Sequence, residues 1–267
     1  MGRVLHMLQA RAPRSERGRL MYGMAVALAL PAFWAMIGSL VERWAPWPVQ
    51  AIALKSAISG SALFAAAQRV EEALRAGHLD AARQQLTWLV SRPTAQLDSG
   101  LAASAAIESL AENFVDSWLA PLLAYAAFGL GGAFAYRAAN TADAMWGYRT
   151  PEFEWLGKGI ARLDDLLNWL PARLGALLLV ASGPRPRQAV RVWYRDAGRT
   201  ASPNAGQIMA VAAGQLDVRL EKPGHYLLHA AARLPGAADV ATARHLVRRA
   251  ALASLCLTIL LRRLERS

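Results

Sequence analysis

Charge is scarce in this sequence: 18% of its residues are charged and 55% are hydrophobic, against about 25% and about 45–50% in soluble domains. Acids are scarcer still, 19 against 30 basic residues, and Lys55, Lys158 and Lys222 are the only lysines, so arginine carries the net charge of +11. Such a balance suits nucleic acid, anionic headgroups or phosphorylated ligands alike. No arginine run is interleaved with aromatics, which argues against a nucleic-acid surface. Cys256 is the single cysteine, in "ALASLCLTILL"; it excludes an internal disulfide, and a zinc site would need other ligands. The phosphate-loop pattern G-x-x-x-x-G-K-[ST] is missing, because "WLGKGI" lacks the Ser or Thr, and H-E-x-x-H, G-x-S-x-G and C-x-x-C are missing too. There is no internal repeat, no low-complexity tract and little strand-like alternation, so the fold is expected to be mainly helical.

Long apolar runs are present. Positions 20–41 hold no charged residue, and about 20 such residues span a bilayer core. The basic leader "MGRVLHMLQARAPRSERGR" has no small-residue cleavage site and reads as a cytosolic flank before an anchor. Residues 47–67, apolar except for Lys55, predict a second span; 68–99 predict two cytosolic amphipathic helices broken at Gly77. The run 117–136 contains "FGLGG", which permits either one full span or a helical hairpin that dips in and returns. Residues 157–181 begin amphipathic and end apolar, with a kink expected at Pro171. Residues 183–244 are mostly polar, and 250–261 are either a tilted span or an interfacial helix. The expectation is one all-α domain over 1–267: a polytopic membrane protein with about four to five membrane-embedded helices and cytosolic amphipathic helices.

Four polar clusters punctuate these runs. In "IESLAENFVDSWLAP", Glu108, Glu112 and Asp116 recur every four residues, one stripe on a continuous helix. Like charges at that spacing cost a few tenths of a kcal/mol per pair, which a divalent cation would offset; magnesium takes one or two carboxylates plus phosphate oxygens. The alternative is a solvated helix face. In "YRAANTADAMWGYR", Asn140 and Asp143 share a face with Tyr136 and Arg137 a turn earlier and Tyr148 and Arg149 beyond Gly147; a ligand site and a helix cap both fit. "ARLDDLLNWLPAR" pairs Asp164 with Asn168 and Asp165 with Trp169, bracketed by Arg162 and Arg173, a pattern that ion pairs within one helix also explain. "SPNAG", with Ser202 and Asn204, is a turn whose backbone N–H groups could cradle an anion, although most such turns are only loops.

These four stretches, in this order and continued by "MAVAAGQLDVRLEKPGHY", resemble the CobD/CbiB family of cobalamin-biosynthesis proteins over most of residues 1–261. The resemblance implies a multi-pass plasma-membrane enzyme with its active site towards the cytosol. It implies an ATP-dependent amide ligase that joins aminopropanol, or its O-phosphate, to a propionate carboxyl of adenosylcobyric acid, with Mg²⁺ and ATP required. Under it, Glu108, Glu112, Asp116, Asn140 and Asp143 are catalytic, and Glu108, Glu112, Asp116 and Asp143 hold the metal. Arg137, Tyr148, Arg149, Arg162, Asp165, Asn168, Ser202 and Asn204 bind substrate. The expected partners are corrinoid, the amine and the bilayer, with further copies of the chain or other corrinoid-pathway enzymes, and no nucleic acid. The chain departs from the family's usual pattern in three places: it begins at "MGR" without a preceding apolar segment, Pro93 follows Arg92 where an acid is usual, and Ser117 follows Asp116 where glycine is usual. The competing readings are a non-catalytic scaffold, sensor or corrinoid-binding paralogue, and a transporter, for which Lys55 is the one clear intramembrane charge.

Overall fold

A computed structural model describes residues 1–148 and 150–264, the last four of these in backbone only. In chain order the helices are α1 (Gly2–Gln9), α2 (Glu16–Trp44), α3 (Trp47–Ala57), α4 (Gly60–Arg75), α5 (Leu79–Leu86), α6 (Ser99–Phe114), α7 (Ala120–Trp146), α8 (Lys158–Leu167), α9 (Trp169–Ser182), α10 (Pro186–Asp196), α11 (Ala205–Leu216) and α12 (Ala237–Leu264). A π-turn at Val115–Leu119 joins α6 to α7. Strands β1 (Leu220–Lys222) and β2 (Tyr226–Leu228) form an antiparallel hairpin, with Leu220 opposite Leu228. Two compact units result: Met1–Ile58 with Ala120–Asn168 and the C-terminal end from Thr258, and Ser59–Leu119 with Trp169–Leu257.

The first unit is organised by α2. Its start is capped by Ser15, whose hydroxyl accepts from Gly18 N at 3.2 Å. Its inward residues are small or branched, Gly23, Val26, Ala27, Leu30 and Gly38. Gly38 meets the backbone of Leu130 and Gly131 directly, the close approach that small residues permit between helices. Opposite, Met21, Leu28, Phe33, Met36 and Leu40 are exposed, an apolar outer face suited to lipid. Leu5, Leu30, Trp146, Leu156 and Ile160 close the core beneath.

The "FGLGG" break is real and sharp. Phe128 and Gly129 leave helical geometry, Gly129 with φ +66°. The carbonyl of Ala124 then touches the position a Cβ on Gly132 would occupy. In a straight helix, residues eight apart stand about 12 Å apart along the axis, so α7 is not one straight rod. The restart is capped by a carboxylate from α2: Glu42 Oε2 accepts from Leu130 N at 2.8 Å. A half-buried acid thus replaces the backbone partner lost at the break.

In the second unit α6 is central, buried along most of its length and flanked by α4, α5, α11 and β1. Gly77 ends the α4 turn with φ +74°, as expected for the break there. Pro171 lies in the first turn of α9, where its missing N–H costs nothing, rather than kinking a helix interior. The polar region 183–244 contains a buried helix, α11, and the hairpin, both of which its composition concealed. Gln215 on α11 explains how two helix ends are tied: its Nε2 donates to Leu179 O and Val180 O (3.1 and 2.9 Å), and its Oε1 accepts from Arg185 N at 2.8 Å.

By length and composition two helical stretches can cross a membrane, Glu16–Trp44 and Ser99–Trp146, and a third counts if α3 and α4 are taken as one broken span. Gly129→Ala is expected to destabilise the first unit by at least about 1–2 kcal/mol, the cost of a left-handed non-glycine residue, with the new methyl also striking the Glu42 carboxylate. Thermal denaturation in detergent should show a lower midpoint; an unchanged midpoint would mean the break is not strained.

Candidate active site

Alanine and serine make α6 narrow enough to be packed on several sides, so its polar groups must be met by protein. Asp98 caps its start, accepting from Leu101 N at 2.8 Å. Glu108, 4% exposed, is met three times. Its Oε1 accepts from Ser104 Oγ at 2.6 Å, its Oε2 from the Tyr226 hydroxyl at 2.8 Å, and Arg92 Nη2 stands 3.2 Å from Oε2. Ser104 Oγ also accepts from Glu221 N at 2.8 Å, which stitches the hairpin to the helix. Burial, the charges of Glu108 and Glu112 and the bond to Glu108 hold the Tyr226 phenol well above its ordinary pKa despite Arg92, so it stays a donor.

The hairpin turn follows from Lys222-Pro223-Gly224-His225. Proline fixes φ at the second position, Gly224 takes φ +74° at the third, and His225 N donates to Lys222 O at 2.9 Å, the pattern of a type II turn. It delivers Lys222, His225 and Tyr226 to a cavity of about 310 Å³ whose other walls include Glu108, Glu112 and Arg92. Thr200 and Ser202 line it as well. Thr200 Oγ1 donates to Ser202 O at 2.8 Å, and Ser202 Oγ accepts from Asn204 N at 3.2 Å. Glu112, one turn along from Glu108, is affected most by burial, then by the charge of Glu108, and less by the opposing charges of Lys222 and Arg92. Arg92 Nε, Nη1 and Nη2 are buried and make no hydrogen bond; the Glu108 contact is an ion pair without that geometry. Below the hairpin, buried Asp196 accepts from Arg195 Nε (2.9 Å) and His229 N (2.7 Å) and pairs with Arg199. Burial pushes its pKa up, but those bonds and the two guanidinium charges prevail and hold it below the ordinary value.

The first unit gathers a different cluster. Asp164 Oδ2 accepts from Asn168 Nδ2 at 2.9 Å and its Oδ1 from Asn140 Nδ2 at 3.4 Å; Tyr136 donates to Asn168 Oδ1 at 2.8 Å. Arg137 Nη1 stands 3.4 Å from Asn140 Oδ1. The charges of Asp164 and Asp165 act on Asp143. Burial raises the pKa of Asp164, against its two amide donors and with the Asp165 charge.

The anticipated residues therefore divide. Glu108, Glu112 and Ser202 share one cavity, while Asn140, Asp143, Asp165, Asn168 and Arg137 meet in the other unit. Asp143 is thus in a different unit from Glu108, Glu112 and Asp116. Asp116 sits in the π-turn, whose wider i→i+5 winding interrupts the stripe that α periodicity predicts. Asn204 is buried behind Ser202, with Arg173 Nη1 at 3.4 Å. Tyr148 and Arg162 are exposed, and Arg149 lies outside the described residues. Among the described residues no group of three or more His, Cys, Asp or Glu is arranged to hold a metal ion.

A family model described as "CobD/Cbib protein" matches residues 1–253. The chain belongs to the CobD/Cbib family. It is 40% identical over 208 residues to the cobalamin biosynthesis protein CobD of Photorhabdus laumondii, a match covering 76% of this chain and 65% of that protein. The CobD of Dehalococcoides mccartyi is 39% identical over 240 residues, 85% of this chain and 78% of its own. A probable CobD of Methanothermobacter thermautotrophicus is 45% identical over 184 residues, 67% of this chain and 62% of its own. The chain thus spans just under two thirds of the P. laumondii protein. No solved structure matches.

In this CobD/Cbib chain, the cavity residues that local patterns did not single out are Arg92, Thr200, Lys222, His225 and Tyr226. The Pro-Gly turn was a usable signal for the hairpin group; Arg92, in an irregular segment before Pro93, offered none. Tyr226→Phe leaves the buried Glu108 one donor short and is expected to cost about 1–3 kcal/mol, read as a lower melting midpoint. Asp196 contributes stability above its unfolded pKa of about 3.9 and loses it as pH falls through the lower folded value. The wild type should therefore lose more stability between about pH 5 and pH 3 than Asp196→Asn does; equal losses would remove Asp196 from that role.

Proposed function

We propose that the chain is the amide ligase of cobalamin biosynthesis that attaches aminopropanol, or its O-phosphate, to a propionate carboxyl of adenosylcobyric acid at the expense of ATP. The observation that carries this reading is one cavity holding a half-buried carboxylate, Glu112, beside Glu108 and the positive charges of Lys222 and Arg92. In the first step a propionate oxygen attacks the terminal phosphorus of ATP, the bridging P–O bond breaks, and ADP leaves. The amine then attacks the acyl carbon, the C–O bond to phosphate breaks, and the proton shed by nitrogen goes to Glu112. Arg92 and Lys222 offset charge on the phosphoryl oxygens. A magnesium ion held by the protein does not fit: Glu108 is engaged by Ser104, Tyr226 and Arg92, which leaves Glu112 alone. Magnesium would arrive as the counter-ion of the nucleotide.

We assign the chain to the plasma membrane as a multi-pass protein of four to five embedded helices, with this cavity towards the cytosol. The apolar outer face of α2 supports the membrane assignment, and the arginines at the N-terminus support a cytosolic start of the chain. Assembly with further copies or with other corrinoid-pathway enzymes belongs to the same reading.

The test is amide formation by the full chain in lipid nanodiscs, with adenosylcobyric acid, either amine and magnesium-ATP, followed by mass spectrometry. Glu112→Gln is expected to slow it about 100-fold or more, the usual worth of a general base. No product from either amine would end the ligase reading. Corrinoid binding without product would favour a non-catalytic paralogue, a reading that Pro93 beside Arg92 suggests.

A further inference from the structure

Helix α10 and the turn after it carry five arginines between positions 185 and 199, with Asp196 as the one acid. Asp196 is buried, and it takes up Arg195 and Arg199. Arg185 is also held by protein, donating from Nη1 to Gln215 O at 3.1 Å. Arg187 and Arg191 are different: both are exposed and make no hydrogen bond or ion pair with any described residue. They stand four apart and Tyr194, 88% exposed, follows three later, so the three share one outward face. The opposite face of α10 is spent, because Ala189 and Val192 are buried in its packing on α11.

Two like charges four apart work against a helix, a cost that a surface of opposite charge would remove. The neighbouring helix says which surface. Helix α9 ends three residues before α10 begins and is apolar, with Trp169, Leu170 and Leu177 exposed. Its 14 residues rise about 21 Å, short of the roughly 30 Å of a bilayer core. It can therefore dip into hydrocarbon and leave its end near the headgroups, and α10, too charged to follow, is left at their level. A nucleic-acid partner fits less well: Trp193 is tied to the protein, donating from Nε1 to Gln207 Oε1 at 2.8 Å, so Tyr194 is the one ring the face offers where bases need a row of them.

We propose that the Arg187–Arg191–Tyr194 face of α10 docks on the anionic headgroups of the bilayer that receives α9. The contact is electrostatic and peripheral, since the apolar side of α10 is already covered by α11. It rests on the membrane assignment above and not on the ligase chemistry.

The experiment is electron paramagnetic resonance on the full chain with Cys256→Ser, spin-labelled at Gly198→Cys, in nanodiscs of phosphatidylcholine alone or mixed equally with phosphatidylglycerol. Gly198 lies one turn beyond Tyr194, and a Cβ placed there meets nothing within 4 Å. The label is expected to be shielded from a water-soluble nickel complex in the mixed bilayer and open to it in phosphatidylcholine. Arginine near an anionic surface is worth about fivefold in affinity, so Arg187→Gln with Arg191→Gln should weaken the contact about thirtyfold and expose the label. Salt at about 1 M, with a Debye length of about 3 Å, should do the same. Equal exposure in both bilayers, or shielding that survives the double variant or the salt, overturns the proposal. Shielding that needs added polyuridylate would assign the face to nucleic acid and overturn it as well. A label at Leu28→Cys, on the outer face of α2, should contact hydrocarbon in both bilayers. Failure there would overturn the membrane assignment itself, whereas failure at Gly198 alone would overturn only the docking of α10.

Discussion

A carboxylate inside a helix that is packed on several sides must be satisfied by protein, and the burial of Glu108 imposes that condition on the second unit. An isolated charge there would cost many kcal/mol or take up a proton. Instead, three pieces of chain converge on it: Ser104 from its own helix, Tyr226 from the hairpin and Arg92 from the irregular segment before α6. Satisfying one acid therefore orders a hairpin and a loop that have little secondary structure to hold them. Three-residue strands form too small a ladder to persist alone. Ser104, bonded to both Glu108 and the hairpin backbone, couples the two requirements, and the cavity is what lies between the elements so assembled.

What could be read from the sequence follows from the range of each signal. The apolar run 20–41 recurs inside α2, Gly77 separates α4 from α5, and the FGLGG stretch breaks α7, because each depends on a few neighbouring residues. Helix α11 was hidden: "AGQIMAVAAGQL" is short, follows a turn and sits within polar sequence. The stripe of Glu108, Glu112 and Asp116 assumed unbroken α winding, and the π-turn at Val115 is not encoded by any glycine or proline. Tyr226 meets Glu108 across 118 positions, a distance at which periodicity carries no information. The carboxylate pair at the site was legible; its cations and phenol were not.

The two polar clusters differ in how they resolve an imbalance. In the first unit three acids, Asp143, Asp164 and Asp165, influence one another. An excess of carboxylates can be eased from within, by amide donors such as Asn140 and Asn168 and by uptake of a proton, the direction in which burial moves Asp164. The second unit has the opposite excess. Arg92 has more donors than its surroundings accept, and a guanidinium stays charged at every pH a protein survives. Proton exchange cannot settle that account; an added acceptor can. Water would serve in part, but a multi-oxygen anion would satisfy Arg92 and Lys222 together and bring the opposite charge. This asymmetry between groups that can titrate and a group that cannot is the reason to look for ligand chemistry beside Glu108 and Arg92, and to read the Asp164 cluster first as a means of joining α7 to α8.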